Sequence, residues 1–139
     1  MSADKLIVKR IINAGIDSVF EAFSKPEIMR MWFYPDQDMS AVVSNTFRVG
    51  GGYEIKMHTK SGDTYTHTGE YLEIVSPEKI VFTWNSDFVN DTVVTVTLSE
   101  TENGTEVVLS HEFLPEGEIT DKHRSGWGGC LDRLNAYFN

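Results

Sequence analysis

Between His123 and Leu134 the chain runs His-Arg-Ser-Gly-Trp-Gly-Gly-Cys-Leu-Asp-Arg-Leu, three glycines around one tryptophan inside a segment whose apolar spacing is helical. Each interior glycine lowers helix stability by about 1 kcal/mol relative to alanine, so three forfeit about 3 kcal/mol of a domain total of about 5–15. The fold must offset that loss. At 100° per residue from Trp127, the side chains of His123, Cys130, Leu131, Leu134 and Phe138 fall within about 60° of it, with Gly126 and Gly128 on the two shoulders. The spacing predicts a helix over 118–138 with one apolar stripe and bare flanks. Bare flanks suit a helix embraced by a curved sheet, where backbone approaches backbone and a cavity opens beside the tryptophan.

The sheet is written in the preceding residues. From Val42 to His111 polar and apolar residues alternate in runs: 46–49, 52–60, 64–74, 79–84, 92–99 and 105–113. Ser61-Gly62-Asp63, Ser76-Pro77-Glu78 and Glu102-Asn103-Gly104 separate them with short turn chemistry, which predicts antiparallel hairpins in a meander. Residues 5–13 read as a first strand. Asp17 stands where an N-cap belongs, before a short helix over 18–23 closed by Lys25-Pro26, and 27–33 reads as a second helix closed by Tyr34-Pro35. On the strands, Tyr53, Ile55 and Met57 share one face, as do Ile80, Phe82 and Trp84; Val94, Val96 and Leu98; and Thr105, Val107, Leu109, His111 and Phe113. A sheet with one apolar face needs a cover, and the C-terminal helix is the only apolar stripe long enough to supply it.

Length and composition narrow the function. With 139 residues, 40% hydrophobic and 24% charged, a single domain over 1–139 is expected. Aromatics at 12% are enough to line an interior wider than close-packed aliphatics need. A net charge of −9 disfavours nucleic acid and anionic lipid surfaces as partners. The lone Cys130 makes no intrachain disulfide and reads as a small buried hydrophobe on the helix stripe. The start Met1-Ser-Ala-Asp-Lys leads into a segment too short and too charged for a signal peptide or a membrane span, so a cytoplasmic location without membrane insertion is expected.

The element order and several sequence marks carry a resemblance. Val19-Phe-Glu-Ala-Phe-Ser-Lys-Pro-Glu27, Met31-Trp-Phe-Tyr-Pro35, Gly69 through Trp84, Val94-Thr-Val-Thr-Leu98, Gly104-Thr105 and the Trp127, Cys130, Leu131, Leu134 set follow one another along nearly the whole chain. In that order they resemble the activator of heat-shock protein 90 ATPase homologue family, within the START-like (SRPBCC), birch-pollen-allergen-like superfamily. The resemblance implies an α+β helix-grip fold: a curved antiparallel sheet of six to seven strands wrapped around a long C-terminal helix, with two short helices after the first strand. It also implies a deep cavity between sheet and helix that takes hydrophobic or amphipathic small molecules in many superfamily members. The chain looks like the compact stand-alone bacterial members, without the separate amino-terminal domain of the eukaryotic co-chaperone. A chaperone partner and a part in the stress response are what the family name suggests.

Candidate site residues come from both walls. Trp84 and Trp127 face each other, and with Tyr53, Ile55, Met57, Phe82, Val96, Phe113 and Leu131 they would enclose a planar or acyl ligand, or else pack on one another. His111 reads as a hydrogen-bonded core histidine before it reads as an acid or base, and His123 would flank the cavity mouth. Arg10 would anchor a ligand carboxylate if it points inward, although Lys9 competes for that face. His58, His67, His111 and His123 have no ligand-like spacing, so no metal and no cofactor are expected. Gly50-Gly51-Gly52 precedes a strand rather than a helix and reads as a bend, not a phosphate cradle. Met29, Met31 and Met39 suggest a flap or gap-filling packing, and Trp32-Phe33-Tyr34 a lid or an oligomer contact, since three adjacent aromatics do not all face one core. The reading is a binding protein for a hydrophobic small molecule with no assigned catalytic residue. A co-chaperone, a polyketide cyclase-like or hydrolase-like enzyme built on His111, His123, Arg10 or Tyr53, and a homodimer remain open.

Overall fold

Period-two alternation produces seven strands, and short connections pair each of the last six with the next along the chain. The computed structural model describes residues 5–139; Met1–Asp4, on which the reading of an untargeted start partly rests, lie outside them. Along the chain stand β1 (Leu6–Ile12), α1 (Ile16–Ser24), α2 (Pro26–Met29), β2 (Ser40–Asn45), β3 (Gly52–His58), β4 (Thr64–Val75), β5 (Lys79–Trp84), β6 (Thr92–Thr101), β7 (Gly104–Glu112) and α3 (Glu118–Tyr137). The strands form one antiparallel sheet in the order β1-β7-β6-β5-β4-β3-β2. The meander runs β2 to β7, and β1 closes against β7. This is the α+β helix-grip architecture, with the full seven strands.

One face of the sheet is buried beneath α3 and the two short helices. Tyr53, Ile55 and Met57 of β3, Ile80, Phe82 and Trp84 of β5, Val94, Val96 and Leu98 of β6, and Val107, Leu109 and His111 of β7 all point inward. The β4 strand bends at a bulge between Tyr71 and Glu73, which increases local curvature. At Gly69 the strand has no room for a side chain: a Cβ there would meet the Thr83 carbonyl oxygen at 2.0 Å and the Tyr53 ring at 2.7 Å. Tyr53 lies across that gap, and its hydroxyl donates to the Thr83 carbonyl.

Several expectations are corrected. The first helix begins at Ile16 with Gly15 as its cap, and Asp17 lies in the first turn instead, where a carboxylate still favours the helix dipole. The second helix ends at Met29 and gives way to turns, four residues rather than seven. The strand placed at 46–49 is Ser40–Asn45, and Thr46–Gly51 form the bend that follows. Trp32 and Phe33 both enter the core, because the turns after α2 break helical spacing and allow consecutive side chains to point the same way; Trp32 donates to the Ala22 carbonyl at 3.0 Å. They are neither a lid nor an oligomer contact. Met29 is buried, Met39 packs against the core and Met31 is exposed, so the three do not form a flap. Phe113 is 61% exposed, with φ of 70°; this left-handed residue ends the alternation of β7, and Leu114 takes the inward place.

Candidate functional site

The glycines of α3 explain how the cover is seated. A Cβ on Gly129 would stand 2.1 Å from the Pro35 carbonyl oxygen, so the helix and the segment after α2 meet backbone to backbone. A Cβ on Gly128 would meet the Arg10 guanidinium at 3.1 Å, whereas one on Gly126 would find Pro35 only at 3.9 Å. The sheet, through β1, therefore holds one shoulder of the helix, and the Pro35 segment holds the other. Sequence reasoning had assigned both shoulders to the sheet.

Between sheet and helix the interior divides into two parts. The inner part, bounded by Phe23, Met29, Phe33, Tyr53, Ile55, Tyr71 and Phe82, is packed down to ≈ 10 Å³ of free space. Phe33 is its plug, with ring centroids 6.1 Å from Trp84 and 5.7 Å from Trp127. The outer part is a cavity of ≈ 200 Å³. Its sheet wall is Met57, His67 and Trp84, its helix wall Ile119, Lys122, His123, Gly126, Trp127 and Cys130, and its rim Pro35, Ser86 and Phe88. Phe88 is 60% exposed, so the cavity opens to solvent between α3 and the loop after β5.

Of the residues proposed from sequence, Met57, Trp84, His123 and Trp127 line the cavity. Tyr53, Ile55 and Phe82 border the packed inner part, while Val96 and Leu131 are fully buried and line neither. Phe113 is outside, as described. Arg10 is committed elsewhere: its Nε donates to Asp132 at 2.9 Å and its Nη1 to the Lys9 carbonyl at 2.8 Å, and it does not line the cavity. His67 and Phe88 were missed. The alternation Tyr65, His67, Gly69, Tyr71 against Thr64, Thr66, Thr68, Glu70 carried the signal for His67, but Phe88 lies in a loop without periodicity.

Polar groups around the cavity differ in whether they are satisfied. Trp127 Nε1 donates to His111 Nδ1 at 3.0 Å, which places the His111 proton on Nε2, 2.8 Å from the Thr92 hydroxyl. Thr92 in turn donates to the Trp84 carbonyl at 2.6 Å. This relay ties α3 to three strands and engages both imidazole nitrogens. Burial, reinforced by the nearby His123, lowers the His111 pKa to about 3 and keeps it neutral. His123 donates from Nδ1 to the Ile119 carbonyl at 2.8 Å. His67 stacks on Trp84 with centroids 4.5 Å apart and planes 23° from parallel. Burial, with a smaller push from His123 and partly opposed by Asp87, lowers the His67 pKa to about 4. His67 Nδ1 and Trp84 Nε1 are both buried and have no hydrogen-bond partner among the described residues. Burial raises the Cys130 thiol far above its ordinary value, which disfavours the thiolate.

Of the four polar groups considered for catalysis, only His123 reaches the cavity. Among the described residues no three His, Cys, Asp or Glu side chains converge as a metal site, and no helix is long and apolar enough to cross a membrane.

Comparison with known proteins agrees with the architecture. The model of the family described as Activator of Hsp90 ATPase homolog 1-like protein matches residues 13–139. The crystal structure of protein CV1439 from Chromobacterium violaceum superposes with a TM-score of 0.87 at 27% identity, covering 96% of this chain and 95% of that one. The AHSA1 protein SPO3351 from Silicibacter pomeroyi gives 0.84 at 20% identity, covering 97% of each chain. An AHSA1-like protein from Aeromonas hydrophila, solved by NMR, gives 0.83 at 21%, covering 96% of this chain and 91% of that one. No curated protein matches the sequence.

Proposed function

We propose, since the chain belongs to the Activator of Hsp90 ATPase homolog 1-like family and has its ligand-binding type of fold, that it binds a small hydrophobic or amphipathic molecule between Trp84 and Trp127. The observation that carries this reading is the contrast in packing: ≈ 200 Å³ stays open beside Trp127 while the adjoining aromatic interior is filled. Volume sets the size of the guest. A dry cavity of roughly 150 Å³ takes benzene, and pockets for drug-sized ligands run to about 300–1,000 Å³, so this one suits a single substituted ring. A long acyl chain or a polycyclic polyketide would need the inner part to open.

Trp84 and Trp127 line the cavity, so their fluorescence should report occupancy directly. Titration with toluene and indole, checked by native mass spectrometry, is expected to quench or shift that emission with one-to-one stoichiometry. Gly126→Leu, which projects into the cavity where nothing lies closer than 3.9 Å, should abolish the response while leaving the chain folded. Absence of any response from the unaltered chain to either probe would refute the reading.

A further inference from the structure

We propose that the guest is an uncharged aromatic ring carrying no hydrogen-bonding group, of the alkylbenzene or haloarene class, and that Met57 and Cys130 set this choice. The inference rests on the reading of the cavity as a binding site and adds what the guest must lack.

Most polar atoms around the cavity are committed or turned away from it, which supplies the first ground. Trp127 Nε1 is spent on His111, and His123 Nδ1 on the Ile119 carbonyl. At the rim the Ser86 hydroxyl accepts from the Phe88 backbone N–H at 3.1 Å, and Lys122 pairs with Glu118 at 3.3 Å. His67 Nδ1 and Trp84 Nε1 have no partner, but both atoms are buried within the wall. The surface a guest would touch is therefore almost wholly apolar. A hydroxyl or carboxylate that enters gives up its water and gains little in return, so each such group carried inside weakens binding. Water itself fares no better, since a held molecule needs about two to four polar partners. An apolar ring loses nothing on entry and restores the contacts that the open space denies to its walls.

The chemistry of the two facing walls supplies the second ground. Met57 on β3 and Cys130 on α3 bring a thioether and a thiol to the cavity from opposite sides. Sulfur is a weak hydrogen-bonding partner and a polarisable one, and it sits favourably at the edge of an aromatic ring. Burial keeps the Cys130 thiol protonated, so it adds no charge. No carboxylate lines the cavity to receive a cation, and a chain of net charge −9 does not favour an anion.

The test compares p-xylene, p-cresol and hydroquinone, three para-disubstituted rings of similar size, on the full chain at pH 7 under argon, followed by tryptophan fluorescence and calorimetry. p-Cresol can turn its one hydroxyl to the mouth, whereas hydroquinone keeps a hydroxyl inside whichever way the ring turns. Hydroquinone should bind about tenfold or more weakly than p-xylene, with p-cresol between them. Glutamine is close to methionine in length, and its amide both donates and accepts, so Met57→Gln should narrow that gap about tenfold. Cys130→Ser, the second variant, should narrow it less, because a helical serine also bonds the carbonyl four residues back. Hydroquinone within about threefold of p-xylene on the unaltered chain overturns the inference and leaves an amphipathic guest, and this ratio decides the guest class even if neither variant folds. A gap unchanged in both folded variants overturns the assignment of the choice to Met57 and Cys130. Failure of all three probes overturns the reading of the cavity as a binding site as well.

Discussion

The inner and outer halves of the interior are lined by the same kinds of side chain and end in opposite states. In the inner half every aromatic has a partner ring and its polar atoms are paired: Tyr53 with the Thr83 carbonyl, Trp32 with the Ala22 carbonyl, and Tyr71 with Asn45 at 3.0 Å. In the outer half Trp84 and His67 keep unpaired nitrogens beside ≈ 200 Å³ of space. The sheet wall does not explain the contrast, since Tyr53, Phe82 and Trp84 are equally bulky. The opposite wall does. The inner half receives Phe33 from the turns after α2, backed by Trp32, whereas in the outer half α3 sets the small Gly126 and Cys130 beside Trp127. Aromatic richness alone is therefore a poor guide to a cavity; the size of the residues facing the aromatics decides.

The largest effect is expected from removing the plug. Phe33 is 2% exposed, and replacing a fully buried phenylalanine with alanine lowers stability by about 3–5 kcal/mol. Phe33→Ala should lower the denaturation midpoint by that much in urea and join the two halves, so that larger aromatic guests then bind. A loss below about 1 kcal/mol would mean that the inner half is not sealed by this ring.

The elements on which this contrast stands are legible in the sequence, but the division itself is not, since alternation places Tyr53, Phe82 and Trp84 on one wall alike. Alternation located five strands within a few residues, the Trp127 helix was placed to within one residue, and the cavity beside it followed from glycine cost. What escaped depended on contacts distant in sequence. Pro35 approaches Gly129, although nothing local in either segment announces the other. Phe33 enters the core because α2 stops early, and helical periodicity in so short a segment does not reveal its end. Phe113 adopts a positive φ that its residue type disfavours, and strict alternation carried it to the wrong face. His67 lies on a readable face, but weighing it only as a metal ligand passes over an imidazole stacked on an indole.

Acid titration should weigh the sealed interior against the open half through two histidines. His111 is fully buried in the relay with Trp127 and Thr92, His67 lines the cavity, and both rings have folded pKa values well below the ordinary 6.5, at about 3 and about 4. Because the unfolded chain binds these protons first, stability is full above pH 6.5 and falls as the pH drops through it, flattening only below the folded values. Each ring contributes a slope of about 1.4 kcal/mol per pH unit, so acidification from pH 6.5 to 5 should remove about 2 kcal/mol per ring. His67→Leu should halve that slope and leave the His111 part. A slope unchanged by His67→Leu would show that His67 is already protonated in the fold, and would break the distinction between a dry and an accessible half.

The glycines of α3 give the smallest effects and the sharpest contrast, because the same substitution should act with opposite signs three residues apart. Gly129→Ala forces a methyl to within 2.1 Å of the Pro35 carbonyl oxygen. Backbone must shift, and overpacking of this kind lowers stability by about 1–3 kcal/mol. At Gly126 the nearest atom to an added methyl is 3.9 Å away, so Gly126→Ala meets no obstacle and gains helix propensity, up to about 1 kcal/mol. Paired thermal melts of the two variants should move in opposite directions from the unaltered chain. If Gly126→Ala also lowers the melting point, the shoulder beside Trp127 is not free, and the open half owes its space to some element other than the missing side chain of this glycine.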